Sequence, residues 1–130
     1  IDLKEDGSFR LNMKYFSYHY STARAFSSNF IKLFGINPRL PSQKIEQIHY
    51  DIAATLQHIT EDILIKQANY LYSLVKTPNL CLAGGVALNC VANYKILEHT
   101  PFKNIYIQPN AGDGGGAIGA ALYAYYSVFK

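Results

Sequence analysis

The 130-residue sequence predicts an α/β fold, and three features lead to that expectation. Two short apolar runs, at 80–83 and 105–107, each enter a glycine-bearing turn that is followed by a helix-compatible segment, so a strand–turn–helix unit is stated twice. An apolar stripe of Ile45, Ile48, Ile52, Leu56, Ile59 and Ile63 steps by three or four residues and marks one long helix. Near the start, Glu5-Asp6-Gly7 sits between two alternating segments, which is a hairpin signal. A β-hairpin, a mixed sheet and packed helices are therefore expected.

In chain order, residues 1–4 and 8–13 alternate apolar and polar, with Phe9, Leu11 and Met13 on one face of a strand. Residues 15–20 form a dense aromatic patch around His19, read as a packed loop rather than a substrate contact. Ser21 is placed to cap a helix over 21–34 that ends at Gly35, with Phe26, Phe30, Leu33 and Phe34 at helical spacing. Pro38 and Pro41 make 36–41 a stiff connector. The long helix then spans 42–75, its other face carrying Glu46, Asp51, Thr55, His58 and Asp62 as solvated residues, with His49 at the edge of the stripe. Thr77-Pro78-Asn79 breaks it and feeds the first core strand. After Gly84-Gly85-Val86, residues 87–97 read as helix, ended by Thr100-Pro101. The second strand leads into Ala111-Gly112-Asp113-Gly114-Gly115-Gly116, and a small-residue helix over 117–129 follows.

Length fits one domain over 1–130, and 49% hydrophobic with 16% charged residues is ordinary for a globular protein. A net charge of +3 with singly spaced Lys and Arg argues against a dedicated nucleic-acid surface. Cys81 and Cys90 lie in no metal-ligand spacing and read as small buried side chains, which points to a cytoplasmic protein without disulfides. The longest apolar run, 117–129, is too short to span a bilayer. Because the chain opens without Met in an alternating segment, it reads as a piece of a longer protein.

No Walker loop, no Gly-x-Gly-x-x-Gly opening a helix with an acid at the right distance, and no His-Glu-x-x-His, Cys-x-x-Cys or Gly-x-Ser-x-Gly is present. The paired turns remain. Glycine lets backbone approach a ligand closely, and helix N-termini offer unpaired N–H groups to a phosphate. Two such turns on neighbouring strands are placed to face one phosphate-bearing ligand, with Asp113 as the only charge in the second. The plain alternative is two tight strand-to-helix connections that bind nothing.

The stretches LCLAGGVALNCVAN and FKNIYIQPNAGDGGGAIGAALYA, with DGSFRLNMKYFSYH and HYDIAATLQHITEDIL upstream, resemble the O-carbamoyltransferase family of nodulation-factor and antibiotic-tailoring enzymes. DIAATLQ followed by GGVALN is also similar to the related synthases of threonylcarbamoyl-adenosine in tRNA. The resemblance covers nearly the whole chain. It implies the second half of a domain of the actin, sugar-kinase and heat-shock-ATPase type. It also implies ATP and carbamoyl phosphate as substrates, carbamoyl-adenylate as the carbamoyl donor, and a small-molecule hydroxyl as the acceptor.

By position in the motifs, the resemblance implies that Gly84, Gly85 and Val86 lie against the adenosine with Asn89 nearby. Gly112 and Gly114 would surround the phosphate, and Asp113 would be a ligand of a divalent metal, iron in the better-known relatives, with magnesium or manganese as alternatives. The family's paired metal-binding histidines have no counterpart in the spacing of His19, His49, His58 and His99. They, the catalytic residues and the adenylate-forming domain are expected in the rest of the chain. The isolated piece is accordingly expected to be inactive, with exposed apolar surface favouring self-association. The competing readings are a tRNA threonylcarbamoyladenosine synthase-like enzyme and a non-catalytic nucleotide-binding or interaction module.

Overall fold

A computed structural model describes residues 1–129. The chain is mixed α/β, with two small sheets and four α-helices among the described residues. Strands β1 (Asp2–Leu3) and β2 (Phe9–Arg10) form the expected hairpin, antiparallel with Leu3 opposite Phe9. Its turn is tied by Asp6, whose carboxylate accepts from the Ser8 N–H at 2.9 Å and the Ser8 hydroxyl at 2.7 Å. Gly7 is buried against the long helix, where a Cβ would meet the backbone of Gln67. The Gln67 amide donates to the Gly7 carbonyl at 3.1 Å, and Lys66 pairs with Glu5 at 2.8 Å.

The second strand is shorter than its alternation predicts. Met13–Tyr15 is a 3-10 turn capped by Asn12, so Phe9, Leu11 and Met13 do not share one strand face. Helix α1 (Ser28–Phe34) is capped by Ser27 rather than Ser21. The reason is a competing set of bonds: the Ser17 N–H donates to Ala25, the Ser17 hydroxyl to Arg24 and the Ser27 N–H to Tyr15, and these hold the intervening chain as a loop. Phe16, Phe26, Phe30 and Phe34 stack along that loop and α1.

The long helix is α2 (Gln47–Val75), 29 residues and about 44 Å at ~1.5 Å per residue. It starts five residues later than the sequence predicts, because the Arg39 guanidinium donates to the carbonyls of Leu40, Pro41 and Gln43 and keeps that stretch out of helix. Glu46 and His49 form the reciprocal cap, with His49 Nδ1 accepting from the Glu46 N–H at 3.0 Å, so His49 works as a helix cap. Lys76 in left-handed conformation ends the helix.

Strands β3 (Asn79–Leu82) and β4 (Asn104–Ile107) pair in parallel, joined through α3 (Cys90–His99) as one βαβ unit. Leu80 faces Ile105 and Leu82 faces Ile107. The inner face of this pair packs with Ala68, Leu64 and Tyr72 of α2, Ile96 of α3, and Phe102. Tyr72 meets Phe102 edge-on, with ring centroids 5.4 Å apart. The hairpin and the parallel pair are separate sheets, so the single mixed sheet is not formed among the described residues.

The other face of the parallel pair is uncovered among the described residues, and this corrects the reading of Cys81 as buried; Cys90 is exposed as well. Cys81 alternates away from Leu80 and Leu82 and is exposed beside Tyr106, and Cys90 opens α3 on its solvent side; both are free thiols. Helix α4 (Gly115–Tyr123), continued by a π-helical turn at Ala124–Val128, leaves Ile118, Leu122 and Tyr123 exposed. None of the described helices is long and apolar enough to cross a membrane.

Candidate functional site

The βαβ unit puts the two glycine turns side by side. Because β3 and β4 run parallel in adjacent register, the chain leaves both strands at the same end of the pair. The Gly84 N–H then donates to the Ala111 carbonyl at 2.7 Å, linking the two turns directly. Ala111 is buried, which fixes the second turn at that point.

In the first turn Gly84 has φ of +97°, a conformation that favours glycine. Gly85 to Leu88 then form a 3-10 turn, with Val86 more than half exposed. Asn89 ends that turn and starts α3. Its side-chain oxygen accepts from the Ala92 N–H at 3.1 Å as a helix cap. Its side-chain amide donates to Gln57 Oε1 on α2 at 2.9 Å, and Gln57 Nε2 returns a bond to Asn89 Oδ1 at 3.3 Å. Asn93, one turn on, is buried and donates to the Ala87 carbonyl at 2.7 Å, holding the 3-10 turn from below.

The second turn divides by what lies over its glycines. Gly112 has open space where a Cβ would project, as do Gly84 and Gly85. Gly114 and Gly115 are packed against protein, the first under the Asn110 side chain and the second against the Asn110 carbonyl and the Gln108 side chain. Gly115, which sequence reasoning did not single out, therefore has a packing reason to be glycine, while at Gly114 the neighbour is a side chain that can swing aside. Gly112 and Gly85 have neither a protein neighbour nor a positive φ that requires one. The Gln108 amide is buried at this junction with no protein partner.

Asp113 is exposed between Gly112 and Gly114. Among the described residues no group of three or more His, Cys, Asp or Glu side chains is arranged to hold a metal. A hard cation takes several oxygen donors. The lone carboxylate therefore fits such an ion as one donor of a larger set and is not a metal centre by itself.

A cleft of about 410 Å³ lies between α2 and the first turn, lined by Leu56, Gln57 and Thr60 on one side and Gly85, Val86 and Asn89 on the other. Leu56 is 67% and Val86 55% exposed, so the cleft has apolar walls open to solvent. The α2 contribution was not visible in the sequence, where Leu56 reads as part of the core stripe. A larger cleft of about 580 Å³ beside Ile1, Arg10 and Met13 shares no residue with either turn.

Comparison with known proteins fits this arrangement to a family. The family model described as carbamoyltransferase N-terminus matches residues 1–122. The chain belongs to that family. It is 50% identical, over its whole length, to an uncharacterised protein of Synechocystis sp., of which it covers 21%. It is 40% identical over 90 residues to nodulation protein NolO of Bradyrhizobium diazoefficiens, which is 69% of this chain and 16% of that protein. Over 111 residues it is 32% identical to an anhydro-N-acetylmuramic acid kinase of Agrobacterium fabrum, 84% of this chain and 29% of the kinase. The chain thus spans between about a sixth and a third of these relatives. No solved structure matches it.

Proposed function

We propose that the protein containing this chain is an ATP-dependent O-carbamoyltransferase, and that the two linked turns hold the adenylate end of its carbamoyl donor. The observation that carries this reading is the Gly84–Ala111 hydrogen bond, which brings both glycine turns to one edge of the molecule. Membership of the carbamoyltransferase N-terminus family supports it. The similarity to anhydro-N-acetylmuramic acid kinase supports an actin, sugar-kinase and heat-shock-ATPase-like domain, of which the chain is the second half by its resemblance to the family.

In this reading Gly84, Gly85 and Val86 lie against the adenosine, with Asn89 fixing the turn behind them. Gly112 and Gly114 flank the phosphate; at Gly112, which has open space over it, the absence of a side chain lets backbone N–H groups approach an anion, while Gly114 lies beneath the Asn110 side chain. The acceptor hydroxyl attacks the carbamoyl carbon of carbamoyl-adenylate. The carbamoyl C–O bond to the phosphate breaks, AMP leaves, and the hydroxyl proton passes to a base or solvent.

Asp113 supplies one oxygen donor to a divalent cation, iron by resemblance with magnesium or manganese as alternatives, and residues elsewhere in the full chain supply the others. Such an ion offsets negative charge on the leaving phosphate. The 130 residues alone should be inactive, since among the described residues no group of three or more His, Cys, Asp or Glu side chains is arranged to hold that ion.

The test is an assay of the full-length protein with ATP, carbamoyl phosphate and a panel of hydroxylated acceptors. Carbamoylated acceptor formed with release of AMP supports the reading. No ATP consumption with any acceptor, or carbamoyl transfer independent of ATP, contradicts it.

A further inference from the structure

We infer that Gln57 is a positioning residue for nucleotide binding, acting through Asn89; the inference rests on the nucleotide reading of the paired turns. Gln57 lies on α2, far from either turn in sequence, yet it makes the tie between that helix and the junction of the first turn with α3. The two side-chain amides bond reciprocally, Asn89 Nδ2 to Gln57 Oε1 at 2.9 Å and Gln57 Nε2 to Asn89 Oδ1 at 3.3 Å. Gln57 is itself held, because its Nε2 also donates to Glu61 Oε1 at 2.8 Å one helical turn on.

Asn89 has two other duties, one of which depends on how its side-chain amide is oriented. Its Oδ1 caps α3 through the Ala92 N–H at 3.1 Å. Its backbone N–H closes the 3-10 turn onto the Val86 carbonyl at 2.9 Å. An amide can flip its oxygen and nitrogen, and a flipped Asn89 would present N–H to N–H and lose the cap. The Gln57 oxygen requires the Asn89 nitrogen on its side and so selects the capping orientation. Gln57 thereby sets where Gly85 and Val86 stand on one wall of the 410 Å³ cleft, while Leu56 and Thr60 of the same helix form the other. A flat, partly apolar group such as a nucleobase suits a slot walled by Leu56 and Val86.

The test measures ATP affinity and thermal stability of the full-length protein as wild type, Gln57→Met and Asn89→Ala, and as the double variants Gln57→Glu/Glu61→Gln and Gln57→Met/Asn89→Ala. Loss of a side-chain hydrogen bond of this kind corresponds to about a five- to tenfold weakening. We expect Gln57→Met to bind ATP that much more weakly with its melting temperature within about 2 °C of wild type. Gln57→Glu/Glu61→Gln, which keeps the acceptor for Asn89 Nδ2 and a donor–acceptor pair between positions 57 and 61, should recover most of the affinity. In the Asn89→Ala background the Gln57→Met change should have no further effect. Wild-type affinity in Gln57→Met, or equal losses with and without Asn89, overturns the positioning role and leaves the nucleotide reading standing. A wild-type protein that binds no ATP overturns both. Should Gln57→Met fail to fold, Gln57→Glu/Glu61→Gln and Asn89→Ala still decide the matter, since Gln57→Glu/Glu61→Gln at Asn89→Ala affinity contradicts the role.

Discussion

The backbone N–H of Gly84 lies 2.7 Å from the carbonyl oxygen of Ala111, so the two strand-to-helix turns of the βαβ unit are hydrogen-bonded to each other. A ligand that touches one turn is within reach of the other. That closeness separates two kinds of glycine, those the fold needs and those that leave room.

Gly112 and Gly115 make the contrast sharp. A Cβ at Gly112 enters open space, whereas one at Gly115 runs into the Asn110 carbonyl, which is backbone and cannot swing away. Gly115→Ala should cost about 1–3 kcal/mol by overpacking, seen as a lower melting temperature. Gly112→Ala should melt like wild type and lose nucleotide affinity. Equal melting temperatures for the two variants would remove the distinction.

Gly84 carries a different constraint. At φ +97° an alanine is strained by about 1–3 kcal/mol, and the strain is relieved by moving the bend away from Ala111. Gly84→Ala should therefore weaken both stability and ATP binding, whereas Gly85→Ala, with open space and no such φ, should affect binding alone. Chemical denaturation and ATP titration of the two variants check this.

Asp113 is exposed, so its removal leaves no buried group unpaired and should change stability by no more than about 0.5 kcal/mol. In the full-length protein, Asp113→Ala should lower bound metal and carbamoyl transfer together. Metal analysis of the purified variant alongside its turnover tests the assignment, and normal metal content with normal turnover would exclude it.

Packing gives a check that does not depend on ligand. Ile96 and Phe102 are the most deeply buried large side chains, meeting Ala68, Leu80 and Tyr72 where α2, α3 and the parallel pair converge. Phe102→Ala should cost about 3–5 kcal/mol and Ile96→Ala about 2–5 kcal/mol. Leu33→Ala, at a side chain that is 60% exposed, should cost much less. Denaturant midpoints of the three variants give the order.

The hairpin turn should respond to acid. Bonds from the Ser8 hydroxyl and then the Ser8 N–H hold the Asp6 carboxyl below its ordinary value. A depressed carboxyl stabilises the turn fully above its unfolded pKa of about 3.9 and loses that contribution as pH falls through the folded value. Titration of Asp6 by NMR should thus show a midpoint below the usual range, moving up in Ser8→Ala.

How much of this was legible follows from the range of each interaction. Strands β3 and β4 and their turns were readable within a residue or so, because apolar runs ending in glycine are local signals and successive βα units tend to pair in parallel. Helix starts were misplaced where side chains bind distant backbone: Ser17 on Arg24 displaced the cap from Ser21 to Ser27, and Arg39 delayed α2 to Gln47. The exposure of Cys81 is hidden in the sequence because an apolar run does not report whether one or both faces of its strand are covered, and β3 and β4 are covered on one. The Gln57–Asn89 pair spans 32 residues, and no periodicity or motif spacing reports such a contact.

The most direct measurement is amide hydrogen exchange of the full-length protein with and without ATP, read at residues 84–86 and 112–114. Both segments should become protected together at the same ATP concentration, because one ligand bridges the two linked turns. Protection of one segment alone, or of neither while ATP is bound elsewhere, would contradict a shared nucleotide site.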